Sequence, residues 1–169
     1  AMMIARKAQE ERVRRALARS PVVGLLGPRQ AGKTTLAKEV MRGFEEVTYF
    51  DLEDSDDLLR LENPRLALSP LRGFVVIDEV QRRPELFPML RVLADREDTP
   101  ARFLVLGSAS PELLRQSSES LAGRIEYLEL DGFSLEETGA ARVEDLWSRG
   151  GFPRSFTAES DEDSRVWRR

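Results

Sequence analysis

Residues 22–34 constrain this chain more than any other stretch. The apolar run Val22-Val23-Gly24-Leu25-Leu26 passes directly into Gly27-Pro28-Arg29-Gln30-Ala31-Gly32-Lys33-Thr34, which has the spacing G-x-x-x-x-G-K-[ST]. The run reads as a strand, and Leu36, Val40, Met41 and Phe44 recur at helical spacing in the segment that begins at Lys33. A glycine-rich loop between a strand and a helix is a device for holding phosphate. Gly27 and Gly32 let the backbone bend tightly, so that successive N–H groups face an anion with no Cβ in the way. The start of the helix adds its partial positive charge. Lys33 then reaches the β- and γ-phosphates as a point charge, and the Thr34 hydroxyl ligates a magnesium ion bridging them. The competing reading is a glycine-rich turn that merely caps a helix. The candidate nucleotide-binding set is Gly27, Pro28, Arg29, Gln30, Ala31, Gly32, Lys33, Thr34 and Thr35.

Two more runs resemble the first, Phe74-Val75-Val76-Ile77 and Phe103-Leu104-Val105-Leu106. None of the three alternates polar with apolar, which implies strands buried on both faces. Strands separated by helical patterns indicate βαβ units around a parallel sheet, an α/β fold. Val47-Thr48-Tyr49-Phe50 is expected as a second strand and Tyr127-Leu128-Glu129-Leu130 as a fifth.

The chain has 169 residues and contains neither cysteine nor histidine. Disulfides, thiolate nucleophiles, imidazole bases and histidine metal ligands are thereby excluded. Lys and Arg total 26 against 30 Asp and Glu, a net charge of −4, which disfavours general nucleic-acid binding. Six basic side chains nevertheless fall within residues 1–20, where Ile4, Ala8, Val13, Ala16 and Leu17 sketch an apolar stripe. That segment is expected as a basic helix packed on the domain edge, with a nucleic-acid or membrane-surface contact as its alternative. No apolar run approaches the ~18 residues needed to cross a bilayer, so no membrane partner is expected. The N-terminus shows no signal-peptide apolar region, and a cytoplasmic location is expected. The acidic stretch 51–62 reads as a solvated helix start, and Ser134 with Glu137 has capping-box spacing.

The run that starts at Phe74 ends in Asp78-Glu79, at the carboxyl end of a strand, where open α/β sheets bind ligands. Asp78 is the candidate second metal residue, orienting a water on magnesium, and Glu79 the candidate base for the attacking water. Simple exposure at a strand end is the alternative. The next run ends in Gly107-Ser108-Ala109-Ser110. Ser108 is placed to contact the γ-phosphate or the lytic water, while Ser110 is placed to cap a helix ahead of Pro111.

Taken together, the phosphate loop, Asp78-Glu79-Val80-Gln81, Gly107-Ser108-Ala109-Ser110 and Gly150-Gly151-Phe152-Pro153 resemble a prokaryotic branch of the AAA+-type P-loop ATPases. The resemblance covers roughly residues 20–155. It implies a three-layer αβα core with a five-stranded parallel sheet in the order 5-1-4-3-2, and ATP hydrolysis with magnesium. It also nominates Arg124 as an arginine finger acting across a subunit interface of a homo-oligomer. An ordinary surface salt bridge is the equal alternative, and Arg154 is a weaker candidate for the finger. Residues 1–20 would then be the basic helix, 21–140 the ATPase core, and 141–169 a partial C-terminal helical segment of a truncated lid.

Three enzymatic or binding readings arise from these residues. The first is an ATPase that couples nucleotide state to a partner or neighbouring subunit. The second is a nucleotide-binding switch with little turnover. The third is a small-molecule P-loop kinase, against which Glu79 favours water over a substrate hydroxyl.

Overall fold

The computed structural model describes residues 4–98 and 100–169. Five strands, β1 (Val22–Leu26), β2 (Val47–Asp51), β3 (Gly73–Asp78), β4 (Ala101–Gly107) and β5 (Ile125–Glu129), form one sheet in the order β2-β3-β4-β1-β5. Every pairing is parallel, and the order is 5-1-4-3-2 read from the other edge. The three continuous apolar runs are the three inner strands. Their residues alternate between two separate cores, one on each face, which is why no polar alternation marks them.

Ten α-helices among the described residues connect or flank the strands: α1 (Lys7–Arg19), α2 (Lys33–Met41), α3 (Ser55–Arg60), α4 (Pro64–Leu68), α5 (Leu86–Ala94), α6 (Pro111–Leu121), α7 (Leu135–Thr138), α8 (Val143–Arg149), α9 (Pro153–Phe156) and α10 (Asp161–Trp167). On one face, Val13, Ala16 and Leu17 of α1 and Leu36, Ala37 and Val40 of α2 cover Val23, Leu25, Phe74, Val76, Leu104 and Leu106. On the other, Leu86, Phe87, Leu90 and Leu93 of α5 and Leu113 and Leu121 of α6 cover Val22, Val75, Ile77, Phe103 and Val105. The result is a three-layer αβα sandwich. Each large side chain so buried contributes about 1.5–3 kcal/mol of transfer free energy.

Some local expectations shift. The fifth strand runs from Ile125 to Glu129 instead of from Tyr127 to Leu130, because its pairing with β1 begins where Ile125 faces Val22. Leu130 N–H still donates to the Leu26 carbonyl at 2.8 Å, but its side chain turns into the core beneath α1 and α2. As an edge strand, β5 is only half-buried, so its signal is the weakest of the five. The N-terminal stripe also narrows. Helix α1 starts at Lys7, Ile4 precedes it, and Ala8 is exposed while Val13, Ala16 and Leu17 are buried. Residues 1–3 of that segment lie outside the described residues. Phe44 falls after the end of α2 yet stacks on Phe74 with ring centroids 4.5 Å apart. The acidic stretch 51–62 does hold a short helix, α3, with no buried residue and with Asp54 as its cap.

Beyond β5 the chain turns back over the carboxyl end of the sheet. Ser134 caps α7 with the full reciprocal capping box to Glu137. Helices α8 to α10 come next and dock through Phe156, which meets Phe133 edge-on at 5.7 Å. Trp167 of α10 tilts against Phe152 at 6.0 Å, and Trp147 of α8 is 91% exposed. No helix among the described residues is long and apolar enough to cross a membrane.

Candidate functional site

The register aligns Leu26 with both Gly107 and Glu129, and Ile77 with Val105, so β1, β3, β4 and β5 all end at one level. The loop after β1, the acid pair after β3 and Ser108 after β4 therefore share one edge of the sheet. Gly27 N–H donates to the Gly107 carbonyl at 3.3 Å, which ties the root of the loop to the residue before Ser108. This is the crevice at the carboxyl ends of the strands where such sheets place ligands.

The two loop glycines are needed for different reasons. Gly32 has φ of +94°, the left-handed region that a side chain disfavours. Gly27 is not in that region. A Cβ there would come 2.0 Å from the Leu130 carbonyl oxygen, so Gly27 permits the close approach of the chain leaving β5 instead of a sharp turn. Gln30, with φ of +64°, takes a left-handed conformation despite its side chain.

Lys33 is the first residue of α2, and its side chain folds back over the loop. Its Nζ donates to the carbonyls of Gly27 at 2.9 Å and Pro28 at 2.7 Å. Burial pulls its pKa below the ordinary lysine range, an effect opposed by the negative charges of Glu79 and Asp78 and reinforced by Arg29. The next residue, Thr34, donates from Oγ1 to Asp78 Oδ2 at 2.7 Å. Tyr49 of β2 donates to the same oxygen at 2.6 Å, while the Glu79 N–H donates to Asp78 Oδ1 at 2.9 Å. Asp78 is thus buried with both oxygens engaged. Burial, and then the bond to Asp78, push the Tyr49 phenol well above its usual pKa, so it stays a neutral donor.

Glu79 adopts a left-handed conformation, φ +57°, a sparsely populated state for a residue with a side chain. Its carboxylate accepts a hydrogen bond from the Gln81 side-chain amide. An open cleft of about 340 Å³ is lined by Arg29, Lys33, Thr34, Glu79, Pro153 and Arg154. Beside it lies a more apolar cavity of about 350 Å³, walled by Ile4, Ala5, Thr35, Leu36, Phe133 and Pro153. Gly32 borders both.

The expected residues divide into those brought together and one left apart. Lys33, Thr34, Asp78 and Glu79 converge with Ser108 at the same edge. Arg124 does not. It precedes β5 at the opposite edge, where its carbonyl accepts from Val22 N–H at 3.3 Å, roughly 15 Å from the loop by strand rise. Its guanidinium forms a two-point pair with Asp95, at 2.5 and 3.0 Å. Arg154 instead lines the phosphate-side cleft within its own chain. Two residues of the site carry almost no signal in the sequence. Tyr49 is marked only by its strand position two residues before Asp51, and Arg6, which bonds to the Ala31 carbonyl, is one basic residue among many.

Thr34 and Asp78 offer two hard oxygens within hydrogen-bond distance of each other, a donor set suited to magnesium, which keeps most of its waters. Among the described residues, no group of three or more acids gathers elsewhere to hold a metal.

Sheet order, glycine loop and acid-tipped third strand define the class: a P-loop nucleoside triphosphatase fold of the AAA type. A family model described as an AAA domain matches residues 19–139, and the chain belongs to that family. It is 56% identical over 167 residues to the uncharacterized proteins Rv2008c of Mycobacterium tuberculosis and Mb2031c of Mycobacterium bovis. Those matches cover 99% of this chain and 38% of each relative, so the chain spans well under half the length of the curated relatives it matches. Among solved structures, the Walker-type ATPase PABY2304 of Pyrococcus abyssi superposes with a TM-score of 0.68 over 98% of this chain and 71% of that one, at 14% identity. That likeness concerns the fold. Domains of this family bind and hydrolyse nucleoside triphosphates.

Proposed function

We propose that this domain binds ATP with magnesium, hydrolyses the terminal phosphate and couples its nucleotide state to a partner or neighbouring subunit. The observation that supports this most directly is the convergence of Lys33, Thr34, Asp78 and Glu79 on one cleft. In this reading the loop N–H groups and Lys33 bind the β- and γ-phosphates, with the Lys33 ammonium leaving its carbonyl partners for phosphate oxygens. Magnesium, when bound, neutralises phosphate charge. Thr34 and Asp78 would hold it, and Tyr49 orients the Asp78 carboxylate. Glu79 takes a proton from the attacking water, and Ser108 contacts that water or the γ-phosphate. Arg154 faces the same cleft and supplies positive charge in cis. The apolar cavity beyond Gly32 suits the purine, with Leu36, Phe133 and Pro153 as its walls. Arg124 stands away from its own loop, so a finger role would serve a second copy of the chain.

A second reading, a switch with little turnover, is favoured by one contact: the Glu79 carboxylate is bound to Gln81 and must leave it to act as a base. Steady-state phosphate release separates the two. The ATPase reading expects Glu79→Gln to lower turnover by about 10²- to 10⁴-fold, the usual worth of a general base, with ADP affinity retained. It expects Lys33→Ala to lose nucleotide binding. Turnover by Glu79→Gln equal to that of the parent chain would overturn it. Phosphate release by the parent chain no faster than buffer would leave the switch.

A further inference from the structure

Arg6 lies immediately ahead of α1, among basic residues that mostly face solvent, yet it is only 8% exposed. Its Nη1 donates to the Ala31 carbonyl at 2.9 Å, inside the phosphate loop. Its Nη2 donates to the carbonyls of Asp131 at 3.0 Å and Gly132 at 3.3 Å. Nε and Nη2 together grip the Glu137 carboxylate at 2.6 and 3.1 Å, and the guanidinium lies 5.1 Å from the centroid of the Phe133 ring. The Glu137 side chain is equally enclosed, and the same carboxylate accepts the Ser134 N–H at 2.8 Å to close the capping box of α7. One side chain thus joins the loop, the connection after β5 and helix α7.

The bond to Ala31 matters because of peptide geometry. The Ala31–Gly32 peptide is trans, so its C=O and N–H point in opposite directions. Gln30 and Gly32 are both left-handed, and glycine at 32 lets this unit rotate with little steric resistance. A carbonyl pinned on Arg6 leaves the Gly32 N–H directed away from Arg6. Arg6 borders the apolar cavity and not the phosphate-side cleft, while Gly32 borders both.

We propose that Arg6 is a positioning residue: it holds the Ala31–Gly32 peptide so that the Gly32 N–H is aimed at phosphate, and through Glu137 it makes nucleotide affinity depend on the docking of residues 131–137. The proposal rests on the nucleotide-binding reading above. Only arginine meets the demand, since five donors in a rigid plane serve three carbonyls and a carboxylate at once, which an ammonium cannot do. A buried pair of this kind is strongly disrupted by removing either partner, so the loop and α7 respond together. Whatever lifts α7, whether a partner or another part of a longer polypeptide, frees the Ala31 carbonyl and lets the Gly32 amide turn from the ligand.

The test compares the 169-residue chain with its Arg6→Lys, Glu137→Gln and Lys33→Ala variants, using a fluorescent ADP analogue, ATP turnover and the amide resonance of Gly32. Arg6→Lys should weaken ADP binding about tenfold or more and raise KM similarly, as expected for loss of a charge-assisted bond, with kcat within about threefold. In the ligand-free chain it should shift the Gly32 amide while leaving β3 amides in place, which a general loss of stability would not do. Glu137→Gln should weaken ADP in the same direction by a smaller factor. Folded Arg6→Lys that binds ADP within about twofold of the parent, with an unmoved Gly32 amide, overturns the proposal. Should Arg6→Lys fail to fold, Glu137→Gln decides by the same two readouts. If the parent chain itself binds no nucleotide, or Lys33→Ala binds as well as the parent, the underlying nucleotide reading fails instead.

Discussion

Replacing Gly27 by alanine separates two explanations for a glycine that are usually merged. The added Cβ would meet the Leu130 carbonyl oxygen at 2.0 Å, whereas real contacts of this kind stay above 3.0 Å. One backbone or the other must therefore move by about 1 Å. Neither moves freely: Leu130 N–H is bonded to the Leu26 carbonyl at 2.8 Å, and β1 pairs with β5 along its whole length. Overpacking costs about 1–3 kcal/mol, and a backbone obstacle on both sides puts Gly27→Ala at the upper end. At about 2–4 °C per kcal/mol for a domain of this size, the melting temperature should fall by roughly 6–12 °C. Gly32→Ala differs. Its nearest neighbour would be Pro153 at 3.5 Å, so the cost is the left-handed conformation alone, about 1–2 kcal/mol. That variant should lose proportionally more ADP affinity than stability, because residue 32 belongs to the anion-facing loop. Thermal unfolding by circular dichroism with parallel ADP titration checks both. A Gly27→Ala protein melting within about 2 °C of the parent, with unchanged ADP affinity, would refute the close-approach argument.

Further outcomes are expected elsewhere. Tyr49 has a folded-state pKa above its unfolded value of 10.0, so it contributes stability that is complete below pH 10 and is lost as pH rises beyond it. Urea unfolding at about pH 9 and about pH 10.5 should show Tyr49→Phe less stable than the parent at the lower pH, with the difference narrowing at the higher pH as the unfolded phenol begins to ionise; a constant or widening difference would contradict the coupling to Asp78. Arg124→Ala and Lys33→Ala chains, each inactive, should regain turnover when mixed if Arg124 acts across an interface, and no recovery in verified mixed assemblies counts against that role. Arg154→Ala should lower turnover in every subunit alike and show no such recovery, as judged by the same mixing assay.

The phosphate loop and the inner strands are legible in the sequence because local backbone requirements write them there. Continuous apolarity marks β1, β3 and β4, since each is buried on both faces, and the G-x-x-x-x-G-K-T spacing specifies the loop that leaves β1. The sheet order comes from family likeness, as no local pattern in Val22–Leu26 says which strand lies alongside. Edge strand β5 starts two residues earlier than its pattern suggests, because half-burial blurs that pattern. Arg6 is illegible for a different reason. In sequence it is one of six basic residues near the N-terminus, and only the return of residues 131–137 to the loop encloses it. Likewise the reason for Gly27 lies in the passage of Leu130 overhead, a contact between residues about a hundred positions apart.

Both tryptophans of the chain lie in the last helices, Trp147 in α8 and Trp167 in α10. Emission excited at the red edge of the indole band therefore reports this segment alone, with the sheet and phosphate loop dark. Trp147, almost fully solvated, supplies a steady red-shifted background. Trp167 leans on Phe152, whose neighbour Pro153 borders both the apolar cavity and the phosphate-side cleft. The molecule thus carries an intrinsic optical channel for following how its C-terminal helices respond when the loop is filled, with no label attached.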